Sequence, residues 1–260
     1  MKIYALNENT TNLDLETEHG LSLYIETTHH KILFDMGQTD LFARNAVRLG
    51  IDLSQVDIAI LSHGHYDHGG GLSTFLTLND HAPVYIRPEA WGDFYSSPVK
   101  YIGLDASLNQ NPRFIHLDSS IFKIDEELEL ICCNDLPEPY PADSYGLLKK
   151  TAEQWYPDDF RHEQYLMIQE NEKTILLSGC SHKGILNIVA WLQPDVLIGG
   201  FHFKKLEPGC PELDTAARIL SGSPTKYYTC HCTGIEQYLH MKQIMGDSLQ
   251  YLACGDLLEL

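Results

Sequence analysis

The sequence has no long hydrophobic run and few basic residues. No stretch of about 18 consecutive apolar residues occurs, and the amino terminus turns polar at Asn7 and Glu8. We therefore expect neither a membrane span nor a signal peptide. The chain has 18 Lys and Arg against 36 Asp and Glu, which gives a formal net charge of -18. This excess of negative charge disfavours a surface for nucleic acid or for an anionic membrane.

The sequence also lacks a disulfide framework, internal repeats and low-complexity segments. Its seven cysteines are an odd number, and their spacing is not typical of a disulfide-bonded secreted domain. We expect reduced thiols and a cytoplasmic location. At 260 residues with 43% hydrophobic content, the chain is long enough for a sizeable core, and we predict one domain over residues 1–260.

The run SHGHYDHGGG at positions 62–71 is the most informative feature that is present. It places His63, His65, Asp67 and His68 within six residues. Imidazole and carboxylate are the groups that bind zinc and similar divalent cations. In an extended stretch His63, His65 and Asp67 point the same way, because side chains alternate. Such a run can hold one cation with two imidazoles and a second with Asp67 and His68.

Further metal-type side chains follow short apolar strands elsewhere in the chain. Asp35 ends the strand in FDMG, where it could orient a histidine ligand. His182, His202 and His231 each follow a predicted strand. We predict His182 as a ligand, since a histidine after an apolar strand and a glycine is well placed for that role. We also predict His231, which stands at a strand end before a capped helix.

Several other residues near these strand ends leave alternatives open. Cys180 is either a thiolate ligand or a buried structural cysteine. Glu163 is either a ligand or substrate contact, or a solvated loop carboxylate. The single Cys-x-Cys pair around His231 is a weak zinc signal, so we favour His231 over Cys230 and Cys232. Six further histidines lack this placement and are expected to be ordinary surface or core residues: His19, His29, His30, His81, His116 and His240.

The order of elements indicates mostly hairpins in the first half and alternating strands and helices in the second. Hairpins are predicted at 21–35 and 165–178, and the apolar spacing at 185, 188, 189 and 192 predicts an amphipathic helix. Thr233 and Glu236 predict a capping box for the last long helix. The segments 87–112 and 134–161 are rich in Pro, Gly and aromatics, so we predict lid or binding loops there.

Together these motifs resemble the metallo-β-lactamase superfamily. The phrases SHGHYDHGGGL, GCSHKGI, GGFH and CHCTG are similar to one subgroup, named as dihydropteroate synthase-related or dihydropterin-ribofuranosylaminobenzene-phosphate synthase-like proteins. The resemblance implies an α/β fold, an αββα sandwich of two mixed β-sheets packed face to face with helices outside. It implies one or two zinc ions, with manganese or iron as alternatives. The implied ligands are His63, His65, Asp67, His68, His182 and His231.

The resulting prediction is a metal-dependent hydrolase that acts on an ester, lactone or phosphodiester. Asp67 would accept a proton from water, and His202 would donate one to the leaving group. The partner would be a small molecule such as a planar heterocycle or a phosphate ester, without nucleic acid or membrane. Two alternatives remain, a pterin-related synthase with the metal as Lewis acid and a non-catalytic metal-bound ligand-binding domain. Cys180 stands where hydrolases of the superfamily usually carry a bridging aspartate, which keeps the last alternative open.

Overall fold

The computed structural model describes residues 1–96 and 100–260. Within these ranges no helix has both the length and the apolar character needed to cross a bilayer. The chain forms two compact units. Unit 1 comprises Met1–Ser119, Gly146–Gln164 and Ala253–Leu260, and unit 2 comprises Ser120–Tyr145 and Tyr165–Leu252.

In chain order, the strands of the described residues are β1 (Lys2–Asn7), β2 (Ser22–Glu26), β3 (Lys31–Phe34), β4 (Ile58–Ile60), β5 (Val84–Ile86), β6 (Asp93–Ser96), β7 (Lys100–Tyr101), β8 (Phe114–His116), β9 (Ile121–Lys123), β10 (Leu128–Ile131), β11 (Leu148–Thr151), β12 (Gln154–Pro157), β13 (Tyr165–Glu170), β14 (Lys173–Gly179), β15 (Val196–Gly199), β16 (Lys226–Thr229), β17 (Leu249–Tyr251) and β18 (Leu257–Glu259). The α-helices are α1 (Leu41–Arg48), α2 (Tyr66–Gly69), α3 (Leu72–Leu78), α4 (Ile185–Leu192), α5 (Pro211–Ser221) and α6 (Ile235–Met245).

Unit 1 is built on a seven-stranded mixed sheet in the order β18-β1-β2-β3-β4-β5-β8. Strands β2 and β3 form the predicted hairpin, and β3, β4, β5 and β8 run parallel. Phe42 of α1 and Phe75 of α3 are fully buried in one apolar cluster with sheet residues such as Leu33. Because Phe34 pairs with Ile60, the residues that follow β3 and β4 emerge at the same edge of the sheet.

A second, four-stranded sheet in unit 1 has the order β12-β11-β6-β7. Its strands come from the two segments for which lid loops were predicted, and it lies beside a small apolar cluster of Phe94, Ile102, Leu147 and Phe160. These segments therefore contain regular structure. The sequence did not predict it, because the strands are short and partly exposed. Residues 97–99 of the first segment lie outside the described residues. The role of lid, like the single domain, remains a prediction.

Unit 2 has its own seven-stranded mixed sheet, in the order β17-β16-β15-β14-β13-β10-β9. The hairpin of β13 and β14 and helix α4 lie where the sequence predicted them. Strands β14 to β17 are parallel, and Gly179, Gly199 and Thr229 are in register at their carboxyl ends. The segments that follow β14, β15 and β16 therefore leave the sheet at one edge.

The predicted capping box at α6 is wrong. The helix begins after Gly234, and no side chain caps it. Thr233 instead lies in a short 3-10 turn, where its hydroxyl accepts a 2.8 Å hydrogen bond from the backbone N–H of Phe201. Its side chain is therefore used to connect the segments after β15 and β16 rather than to start the helix.

Candidate metal centre

Unit 1 brings the residues of the H-x-H-x-D-H run together after β4. His63, His65 and His68 are 0%, 3% and 0% exposed. The His63 ring centroid lies 4.6 Å from that of His65 and 4.2 Å from that of His68. Asp67 is also buried. Three imidazoles this close and this deeply buried form a donor set suited to a divalent cation.

Asp35 and Ser62 orient two of these rings. The Asp35 Oδ2 atom lies 2.6 Å from Nδ1 of His68 and accepts a 2.7 Å hydrogen bond from the Ser62 hydroxyl. The Ser62 oxygen lies 2.8 Å from Nδ1 of His63. Because the serine proton is donated to the carboxylate, Nδ1 of His63 must be the donor in the second contact. Both neutral rings are thereby protonated at Nδ1, which leaves the lone pair on Nε2.

Two further residues that the sequence did not reveal, Asp158 and His162, lie next to His65. Nδ1 of His162 accepts a 3.0 Å bond from the Gly64 N–H, so its Nε2 donates to Asp158 Oδ2 at 3.1 Å. The same carboxylate oxygen is 3.6 Å from Nε2 of His65. Burial alone would raise the pKa of the Asp158 carboxyl, but the His162 and His65 rings hold that pKa well below its usual range. Asp158 is therefore a buried anion that faces two imidazoles.

Two smaller corrections concern the surroundings of this cluster. His19 was expected to be an ordinary histidine, yet its Nε2 lies 3.1 Å from Asp67 Oδ2. Glu163 is completely buried, so the interpretation as a solvated loop carboxylate is wrong. No local spacing relates His19 to the histidine run, and only its contact with Asp67 in the folded unit reveals it.

Unit 2 carries a second cluster at the carboxyl ends of β14, β15 and β16. The ring centroids of His182 and His202 are 4.3 Å apart. One donor atom each of Cys180, His182 and His202 lies within 4.8 Å of the others. The same holds for Cys180, His231 and Cys232. The strand-end histidines that the sequence singled out are thus gathered in unit 2, together with two thiols.

The backbone of this second cluster is unusual. Ser181, His202 and His231 have positive φ angles of 57°, 57° and 49°. Non-glycine residues adopt this left-handed region at a cost of about 1 kcal/mol or more each. Three such residues at three adjacent strand ends indicate that the positions of the side chains are set by the backbone.

The Cys232 thiol lies among groups that favour its ionised form. Burial raises the pKa of this thiol, but the contacts with Cys180, His202 and His231 outweigh burial and hold the pKa well below its usual value. By contrast, burial raises the pKa of the Cys254 thiol in unit 1 to about 11. None of the seven cysteines, all of which lie in the described ranges, forms a disulfide bond.

A cavity of about 470 Å³ adjoins His182 and His202 in unit 2. Its walls include Tyr140, Tyr145 and Phe203, with Glu212 from α5. The loop that carries the tyrosines is held in place by α4, since Asn187 Oδ1 accepts a 2.9 Å bond from the Tyr140 N–H. This volume is of the size that takes a small organic molecule, and its walls are mostly apolar.

Comparison with known proteins identifies similar chains. Residues 16–131 match the model of the metallo-β-lactamase superfamily. The crystal structure of Tm1679, a metal-dependent hydrolase of the β-lactamase superfamily, is 28% identical, with a TM-score of 0.86 over 100% of this chain and 99% of that one. The chain is therefore similar to the metallo-β-lactamase superfamily over residues 16–131, and it shares its fold with Tm1679. Members of this superfamily are mostly metal-dependent hydrolases that bind divalent metals, often zinc.

Two relatives from Methanocaldococcus jannaschii match this chain over almost its whole length. The uncharacterized protein MJ0448 is 27% identical over 93% of this chain and 94% of its own length. The second, named 7,8-dihydropterin-6-methyl-4-(beta-D-ribofuranosyl)-aminobenzene-5'-phosphate synthase, is 26% identical over 100% of this chain and 96% of its own. The predicted fold class, an α/β fold with mixed sheets packed with helices, is confirmed.

Proposed function

We propose that this chain is a metal-dependent hydrolase that cleaves an ester, lactone or phosphodiester bond in a small molecule. The observation that carries the proposal is the buried imidazole cluster of unit 1, in which His63 and His68 are held by Ser62 and Asp35 so that Nε2 carries the lone pair. A metal-ligating histidine almost always donates its other ring N–H to such a partner, which fixes the tautomer and the orientation of the ring.

The proposed donors are His63, His65, Asp67 and His68 in unit 1, with His182 and His231 in unit 2. Buried imidazoles and one carboxylate suit zinc, for which one or two ions are proposed, with manganese or iron as alternatives. When bound, the cation would lower the pKa of a water molecule toward neutrality and polarise the oxygen of the scissile group.

The protein side chains have separate proposed tasks. Asp67 accepts a proton from the attacking water, and its contact with His19 at 3.1 Å fixes the orientation of the carboxylate. His202, which borders the 470 Å³ cavity, donates a proton to the leaving group. The cavity accommodates the organic part of the substrate, since apolar walls exclude water from that part.

The experiment compares hydrolysis of a generic phosphodiester, bis-p-nitrophenyl phosphate, and of simple lactones by the full chain with and without added zinc. The matched variants are His65→Ala and His29→Ala, because His29 is an exposed histidine of the same unit. We expect zinc-dependent turnover that a chelator abolishes, that His65→Ala lacks and that His29→Ala keeps. Turnover that survives chelation and the His65→Ala substitution would contradict the proposal.

A second candidate function is a pterin-related synthase in which the metal acts as Lewis acid. It is favoured by one observation, the full-length similarity to the relative that carries the synthase name. The discriminating assay offers a dihydropterin and an aminobenzene riboside phosphate to the zinc-loaded chain and looks for the joined product. Formation of that product without hydrolysis of esters or lactones would replace the first candidate by the second.

A further inference from the structure

The cluster in unit 2 contains sulfur donors that the ligand set proposed above does not use. Cys180 follows β14 and Cys232 follows β16, and their exposed fractions are 3% and 6%. The two Sγ atoms and one ring nitrogen of His231 lie within 4.8 Å of one another. Two thiols and an imidazole at this separation are the donors of a soft cation site, because each donor can approach a shared central ion at about 2.0–2.3 Å.

The backbone of unit 2 makes room for one of these sulfur atoms. The Cys232 Sγ atom occupies the space that a Cβ atom at Gly200 would fill. The segment after β15 therefore needs a glycine at this position for the thiol to sit where it does. The left-handed conformation of His231, with φ of 49°, turns the backbone immediately before Cys232. A residue that served only to fill a core would not need both adjustments.

The surroundings of these two thiols differ from those of Cys254 and Cys210. Cys254 in unit 1 lies near backbone oxygens, with Sγ 3.4 Å from the Leu6 carbonyl oxygen. Cys210 in unit 2 caps α5, where its sulfur accepts a bond from the Leu213 N–H. Cys210 is also only partly buried. Cys232 Sγ also donates a 3.5 Å bond to a backbone oxygen, that of Cys180. In addition, however, the sulfurs of Cys180 and Cys232 lie within 4.8 Å of each other and of a ring nitrogen of His231.

We propose that Cys180 and Cys232, together with His231, bind a thiophilic divalent cation through both sulfurs. The inference rests on the proposed function in that His231 belongs to a metal centre, and it adds the chemistry of that centre. Sulfur ligands favour zinc, cadmium and cobalt and disfavour magnesium, calcium and manganese. The protein would therefore retain zinc in the presence of a large excess of magnesium or manganese.

The test is the optical spectrum of the full chain loaded with Co²⁺ in place of zinc. Thiolate coordination gives an intense sulfur-to-cobalt charge-transfer absorption in the near ultraviolet, whereas imidazole and carboxylate ligands give only weaker visible bands. We expect this absorption in the unmodified chain, a smaller one in Cys180→Ser and in Cys232→Ser, and none in the double variant. Cys210→Ser is the matched control, because serine also caps a helix, and it should leave the spectrum unchanged.

Two further measurements keep every outcome interpretable. Cys180→Asp replaces the thiolate by a carboxylate, so it should keep bound cobalt while losing part of the near-ultraviolet absorption. X-ray absorption of the zinc-loaded, unsubstituted chain should show a zinc–sulfur distance of about 2.3 Å beside zinc–nitrogen distances of about 2.0–2.1 Å. Neither measurement depends on substrate turnover.

The outcomes separate this inference from the proposed function. Stoichiometric cobalt or zinc binding without any sulfur signal would overturn the thiolate site and leave the hydrolase proposal in place. A chain that binds neither metal would overturn both. A Cys180–Cys232 disulfide, detected by mass spectrometry after alkylation of the metal-treated chain, would likewise exclude the thiolate site.

Discussion

The two histidine clusters are built by different means. In unit 1 the ring orientations are set by side chains, since Asp35 and Ser62 hold His68 and His63, and Asp158 faces His65. In unit 2 they are set by the backbone, with left-handed residues at 181, 202 and 231. The difference indicates that unit 1 is most sensitive to substitution of the carboxylates that hold its rings. Unit 2 is most sensitive to substitutions that fill the space at its strand ends.

The donor chemistry differs in the same way. Unit 1 offers imidazoles and the Asp67 carboxylate, whereas unit 2 adds two thiols and the cavity that adjoins His182 and His202. Under the proposed function, substitutions in unit 1 should act mainly through the metal. Substitutions in unit 2 should separate into effects on metal binding by its histidine and cysteine ligands, effects on proton transfer by His202, and effects on the space available to the Cys232 sulfur.

The largest effect is expected in unit 1. His65→Ala should lower kcat/KM on the order of 10³-fold and reduce bound zinc, because loss of a cation removes several kcal/mol of transition-state stabilisation. Kinetics with metal analysis check this, with His29→Ala as control. If His65→Ala bound zinc and turned over like the control, unit 1 would not hold the cation.

The next effect is expected in unit 2. His202→Gln should lower kcat by about 10²-fold or more, since a positioned general acid contributes 10²–10⁴-fold. KM and zinc content should change little. The control is His240→Gln, a half-buried histidine of the same unit that pairs with Asp214 at 2.6 Å. An equal loss in both variants, or loss of zinc from His202→Gln, would argue against proton donation.

A smaller effect is expected from removing the charge of Asp35, which holds the His68 ring. Asp35→Asn should weaken zinc affinity by roughly 10–100-fold, because the amide no longer provides the charged acceptor for Nδ1. Competition with a chromophoric chelator measures the affinity, and thermal melting of the metal-free chain reports folding separately. Affinity equal to that of the unsubstituted chain would show that the carboxylate does not act on the metal.

The smallest effect is expected on stability, from a methyl group added at Gly200 in unit 2. Gly200→Ala should lower the free energy of unfolding by about 1–3 kcal/mol, because the added Cβ overlaps Cys232 Sγ. Gly222→Ala is the control, since a Cβ atom there would meet nothing closer than the Ile219 carbonyl oxygen at 3.3 Å. Denaturant titration of both variants gives the comparison. Equal stability would mean that the Cys232 thiol has room to move.

Local patterns in the sequence predicted much of the fold and part of the site. The helical spacing over Ile185–Leu192 and the hairpin of β13 and β14 needed no knowledge of distant contacts. The H-x-H-x-D-H run and the histidines at strand ends were visible because parallel strands present their carboxyl ends together. The contact of Asp35 with His68 follows from the same reasoning.

The rest depended on contacts between residues far apart in the chain. Asp158 and His162 lie about a hundred positions from Gly64 and His65, and no spacing links them. Thr233 matched a capping box in sequence but forms a tertiary hydrogen bond instead. Cys232 was set aside because one Cys-x-Cys pair is a weak signal, and its meaning depends on Cys180, which is 52 residues away.

The most direct test of the central claim is the metal content of the full chain as purified, measured by elemental analysis beside the His63→Ala, His65→Ala double variant. We expect one or two zinc ions per chain, or manganese or iron in their place, and a clear loss of metal from the variant. A chain without any of these metals, even after incubation with zinc, or a variant with the same content, would contradict the account.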